Sequence, residues 1–163
     1  MGNKTLIYQK KLEEHLSESY KHLFRLENAF LALQRHHTFP LDQKGFIKTL
    51  DNIELLAYSD QIIYRFSKLQ DCMGAKLFKS VLLYQGENIA KPFLDILNQL
   101  EKMSIINVDE WFELQDLRNE IAHDYENNEE QAVNILNAIY RVKQELKVIL
   151  YAVQTLINQA PFL

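Results

Sequence analysis

The stretch LEEHLSESYKHLFRLENAFLAL, residues 12–33, decides the fold class. Within it Leu12, Leu16, Leu23, Leu26, Phe30 and Leu33 recur at spacings of three, four and seven. That is the period of one helix face, and charged residues fill the other. The expected helix runs from Thr5 to about His36, and Pro40 ends the stretch by restricting Phe39. A helix this long with a single apolar stripe suits an outer wall of a bundle.

The remaining sequence reads the same way. A second long helix is expected from about Asn52 to Tyr84, with Ile62, Phe66, Leu69, Met73, Leu77 and Val81 as its stripe and Gly86 as its stop. Residues 41–50 before it are a connection or a short helix. Pro92 opens a third helix through about Met103. Asn107-x-x-Glu110 resembles a capping box and opens a fourth, carrying Trp111, Leu114, Leu117 and Ile121 on one side. Asn127-Asn128 is a break, and Asn128-x-x-Gln131 restarts a last helix to about Asn158. There is no internal repeat and no low-complexity tract. The expected architecture is all-α: an up-and-down bundle of four to five helices in a single domain spanning residues 1–163.

Composition agrees. The 163 residues are 47% hydrophobic and 25% charged, too apolar for disorder. Four glycines and three prolines cannot easily supply the turns of an all-β sandwich. One cysteine, Cys72, excludes an internal disulfide and a cysteine-based zinc site, and fits a reducing compartment. The longest apolar run, Val148 to Val153, is far short of a membrane span, and Met1 to Lys11 has no apolar core of a secretory signal. A soluble, cytoplasmic protein is expected. The net charge of -4 is unevenly placed: residues 101–130 hold ten acids against two bases. An acidic total argues against sequence-blind coating of nucleic acid, and leaves open a local basic surface that meets a polyanion.

Chemistry concentrates in Leu117-Arg118-Asn119-Glu120-Ile121-Ala122-His123-Asp124-Tyr125. Arg118 is a fixed cation with a donor fork suited to phosphate. His123 is the side chain whose ordinary pKa suits proton transfer near neutral pH. Asn119 lies four residues before His123 on the same helix face, placed to orient the imidazole, and Tyr125 adds a hydroxyl. The residues three and four away from Arg118 are Leu114, Gln115, Ile121 and Ala122. No acid is among them, so Arg118 pairs elsewhere, faces water, or meets a ligand. The bland alternative for His123 is a helix C-terminal histidine that suits the dipole. Five residues along a helix leave about 140° between Arg118 and His123, so one helix does not stack them. Two copies about a two-fold axis would bring both pairs into one cleft, which makes the motif more sensible in a homodimer.

Three other features stand beside the motif. Arg65, Lys68, Lys76 and Lys79 share one helix face by spacing, as candidate RNA phosphate contacts or as an ordinary solvated face. Gly74 costs roughly 1 kcal/mol against alanine in a helix, which suits a close helix approach, such as one across a dimer. His36-His37 are adjacent and point to different faces, so they fit a polar helix end better than a metal site.

Arg118-x4-His123-x-Tyr125, within a helical bundle, resembles the HEPN superfamily (higher eukaryotes and prokaryotes nucleotide-binding domain), and more narrowly the HepT-like toxins. Asp60-Gln61-Ile62-Ile63-Tyr64-Arg65-Phe66-Ser67-Lys68-Leu69-Gln70-Asp71-x-x-Gly74 resembles a second-helix segment of bacterial HEPN-type proteins encoded beside minimal nucleotidyltransferases. The resemblance covers about residues 50–160, with the helix at about 5–36 in front. It implies a metal-independent RNA endonuclease, without cofactor, working as a homodimer with a minimal nucleotidyltransferase as antitoxin. It implies Arg118 and His123 as catalytic residues, Asn119 in support, and Tyr125 as a candidate for AMP attachment. RNA is the implied partner, with no DNA and no membrane expected. A noncatalytic nucleotide- or partner-binding subunit of a nucleotidyltransferase is the alternative.

Overall fold

The computed structural model describes residues 2–158 and is helical throughout, with no strand among them. The elements are α1 (Gly2–Gln34), α2 (Gln43–Leu50), α3 (Ile53–Cys72), a π turn (Met73–Leu77), α4 (Phe78–Tyr84), α5 (Phe93–Lys102), α6 (Val108–Asp124) and α7 (Glu129–Asn158). The π turn joins α3 and α4 into one rod, so the described chain makes six rods where four to five helices are expected. Four long rods, α1, α3–α4, α6 and α7, form an up-and-down ring in which α1 and α6 each pack against both α3 and α7. Leu12, Leu26, Phe66, Leu69, Leu77, Trp111, Leu136 and Leu150 are among the side chains buried at its centre.

The additional rod is α2, and local chemistry forms it. Asp42 caps it by accepting the Gly45 N–H at 2.7 Å. Asn137 of α7 then clamps the preceding loop, donating to the Leu41 carbonyl at 2.9 Å and accepting from the Leu41 N–H at 2.7 Å. His37 lies against Thr49 Oγ1 at 3.0 Å, consistent with a polar helix end, and no group of three or more possible metal ligands occurs among the described residues.

The other boundaries follow their caps. Asn52 accepts the Glu54 and Leu55 N–H groups, Asn107 that of Glu110, and Asn128 that of Gln131. Gly86, at φ 79°, ends α4 with the paired bonds of a Schellman motif, Glu87 N to Leu82 O and Gly86 N to Leu83 O. Ser104 ends α5 with the same bonds at φ 60°, where L side chains are strained. No helix among the described residues is long and apolar enough to cross a membrane.

A polar seam lines the antiparallel packing of α1 on α3–α4. His15 Nδ1 lies 2.6 Å from Ser80 Oγ, Ser19 Oγ 3.4 Å from the buried Cys72 thiol, and Lys76 reaches Glu18 at 3.4 Å. Arg65 donates to His22 Nδ1 at 3.0 Å, a bond that needs a neutral imidazole acceptor on that nitrogen. Burial holds the pKa of His15 and His22 below 6.5, helped by Lys76 beside His15 and Arg65 beside His22, and opposed by Glu18 in both cases.

Two expectations follow. Between the lowered folded values and 6.5 the unfolded chain binds more protons, so stability falls as pH drops through that window. Urea midpoints at pH 7.5 and 5.5 should differ accordingly, and His22→Gln should flatten the difference. Replacing Ser104 by glycine should raise stability by about 0.5–1 kcal/mol in urea denaturation at pH 7.5.

Candidate functional site

The apolar stripe of α6 (Val108, Trp111, Leu114, Leu117 and Ile121) is buried, and this fixes the rotation of the helix. Trp111, Gln115 and Arg118 follow each other at steps of four and three, so they lie along one side of α6. That side looks across a groove at Gln70, Asp71 and Gly74 of the α3–α4 rod. The closest approach is at Gly74: a Cβ placed there would lie 3.2 Å from Trp111 Cζ2. The close approach that this glycine suits is therefore made within the chain. Phe78 packs edge-on to the same indole with ring centroids 4.6 Å apart.

Arg118 finds its carboxylate across this groove. Its Nε and Nη2 both donate to Asp71, to Oδ1 and Oδ2, each at 3.3 Å. The bonds are long for a guanidinium–carboxylate fork, and the Asp71 side chain is half exposed at 51%. The pair divides two cavities. One, about 390 Å³, is lined by Gln70, Gly74, Phe93, Trp111, Gln115 and Asn119 together with the pair. The other, about 320 Å³, is lined by Asp60, Tyr64, Ser67, Lys68, Tyr125 and Glu126 together with the pair.

His123 lies in the last turn of α6, exposed, with no hydrogen bond or ion pair among the described residues. It lines neither cavity beside Arg118, as the 140° separation requires. Asn119 lines the larger cavity and makes no hydrogen bond to His123. The Tyr125 hydroxyl oxygen is buried without a partner at the edge of the smaller cavity. Burial, with the Asp60 and Glu126 carboxylates nearby, pushes its pKa well above the ordinary phenol value. Burial and Glu126 likewise raise the carboxyl of Asp60.

The four basic residues of α3–α4 are divided. Lys68 lines the smaller cavity, with its Nζ 5.6 Å from the Tyr64 ring centroid. Arg65 and Lys76 turn to α1, where they meet His22 and Glu18. Lys79 is exposed. Sequence reasoning did not single out Asp71 as the partner of Arg118, nor Gln70 and Gln115 as cavity walls. Asp71 and Gln70 stand in the segment quoted for the resemblance, and Gln115 is one turn from both Trp111 and Arg118.

No protein-family model, curated protein or solved structure matches this chain.

The floor of the larger cavity makes a test of the packing. Gly74→Val places a branched side chain against an indole that is 1% exposed. It should destabilise the chain by about 1–3 kcal/mol, read from thermal or urea unfolding.

Proposed function

We propose that this chain is a metal-independent endoribonuclease of the HEPN superfamily, the toxin of a HepT-like pair whose antitoxin is a minimal nucleotidyltransferase, acting as a cytoplasmic homodimer. The observation that carries the proposal is Arg118 on the wall of an open groove, held by a single half-exposed carboxylate that a phosphate can replace. In the proposed reaction the RNA 2′-OH attacks the adjacent phosphorus, the bond to the 5′-oxygen breaks, and a 2′,3′-cyclic phosphate remains. Arg118 stabilises the charge on the phosphoryl oxygens. His123 moves a proton, taking it from the 2′-OH or giving it to the leaving 5′-oxygen. Asn119 supports this set from the groove wall. Because Arg118 and His123 point about 140° apart on one helix, the working pair combines Arg118 of one copy with His123 of a second.

Lys68, on the groove side, is the first of the four basic residues to meet RNA in this scheme, ahead of Arg65, Lys76 and Lys79. AMP attachment at Tyr125 requires the hydroxyl to be uncovered first, by movement of the 125–128 turn between α6 and α7. The second reading, a noncatalytic nucleotide- or partner-binding subunit, is favoured by the same Asp71 fork, since an arginine already paired can be a structural tie.

Purified protein incubated with RNA in EDTA decides between them. Cleavage is expected for RNA and absent for DNA of the same sequence, which lacks the attacking hydroxyl. His123→Ala should slow cleavage by about 10²–10⁴ with the fold retained. Intact RNA under these conditions, with a folded wild-type chain, overturns the nuclease reading in favour of the binding subunit.

A further inference from the structure

The 390 Å³ cavity beside Arg118 contains polar groups that the protein itself leaves without partners. Trp111 is 1% exposed, and its indole Nε1 is enclosed without an acceptor. Gln115, one helical turn on, has its amide Oε1 enclosed without a donor. Gln70, facing them from α3, is 6% exposed and has no side-chain hydrogen bond among the described residues. Buried polar groups are normally satisfied, because each one left bare costs free energy. Two enclosed atoms without partners, beside the Gln70 amide that makes no hydrogen bond, form an arrangement that a ligand, rather than the fold, completes.

The chemistry of the lining narrows the ligand. Gln70, Gln115 and Asn119 are neutral amides, each able to present a donor and an acceptor, and Trp111 adds a fixed donor. Phe93 supplies aromatic surface, and the bare backbone of Gly74 lies near both it and the indole. The one cation in the lining, Arg118, is paired to Asp71. A neutral planar ring with donors and acceptors along its edge, joined to a single anion, matches this set. The volume falls within the range of small-ligand pockets.

We propose that this cavity is a nucleobase subsite: Gln70, Gln115 and Trp111 hydrogen-bond the edge of one unstacked base while Arg118 takes its adjoining phosphate. Side-chain amides suit base edges, and aromatic surfaces suit base faces. The proposal rests on the reading of Arg118 as phosphate-facing, and adds to it a recognition function for residues outside the Arg118–His123 motif.

Trp111 is the single tryptophan of the chain, so its fluorescence reports on the site directly. The full chain is titrated with AMP, GMP, CMP, UMP, inorganic phosphate, and a short single-stranded RNA carrying a 2′-O-methyl block against cleavage. A saturable change with at least one nucleotide or with the RNA, and none with phosphate alone, is expected. A stronger response to the RNA assigns the base to a chain, and one confined to mononucleotides assigns it to a free nucleotide. Gln70→Leu, an apolar replacement of similar size, should weaken binding by about tenfold, as should Gln115→Leu, with unfolding midpoints checking that both variants fold. No fluorescence response, an equal response to phosphate alone, or undiminished binding by both folded variants overturns the subsite. The EDTA cleavage assay on the wild-type chain separates the two proposals. Cleavage without a Trp111 response keeps the nuclease and removes the subsite, whereas the response without cleavage keeps the subsite and removes the nuclease.

Discussion

Trp111 lies against the bare backbone of Gly74, and the groove between α3 and α6 depends on that contact. The indole is buried, edge-on to Phe78, and belongs to the same α6 stripe as Leu114 and Leu117. Once it is seated, the rotation of α6 is set, and Gln115 and Arg118 follow along the groove wall. The π turn carries Gly74 at this point. Leu69, Met73, Leu77 and Val81 succeed one another at steps of four, and in a regular α-helix each such step drifts about 40° around the axis. The wider i→i+5 turn over Met73–Leu77 absorbs part of that drift. It keeps the four side chains in one core and presents Gly74 to α6.

What was legible in the sequence was local. The first helix and its stripe, the caps at Asn107 and Asn128, the opening at Pro92 and the stop at Gly86 are decided by residues within a few positions of one another, and all appear in the structure. Residues 41–50 were ambiguous because Gly45 weakens a short helix, while the Asp42 cap and the Asn137 clamp secure it. The Arg118–Asp71 fork spans 47 positions, and no periodicity couples them. Sequence did show that Arg118 lacks an acid within its own helix, which is half of that finding. The split of the basic residues was not legible either, since it depends on where α1 lies.

The acidic stretch takes a definite place in the fold. Glu110 and Glu113 of α6 come near Glu145 of α7, whose carboxyl is raised by burial and then by these two neighbours. This seam is lined in part by Ile105, Ile106 and Ile149, in a cavity separate from the two beside Arg118. Two of the ten acids of this stretch, Glu110 and Glu113, are therefore turned toward the α6–α7 side. Besides Asp71, which is paired to Arg118, Glu126 and Asp60 are the acids that line the cavities beside it.

Asp71 gives the groove a threshold. Toward any anion that approaches Arg118 it would be a tethered competitor, whose local concentration there does not fall when the protein is diluted. An incoming anion gains only the difference between its own attraction and that of the carboxylate it displaces. Chloride or a lone carboxylate gains little from that exchange. A doubly charged group, or one anchored by further contacts beside the arginine, gains more. On the proposed reading of Arg118, discrimination among anions would begin with the resting ion pair.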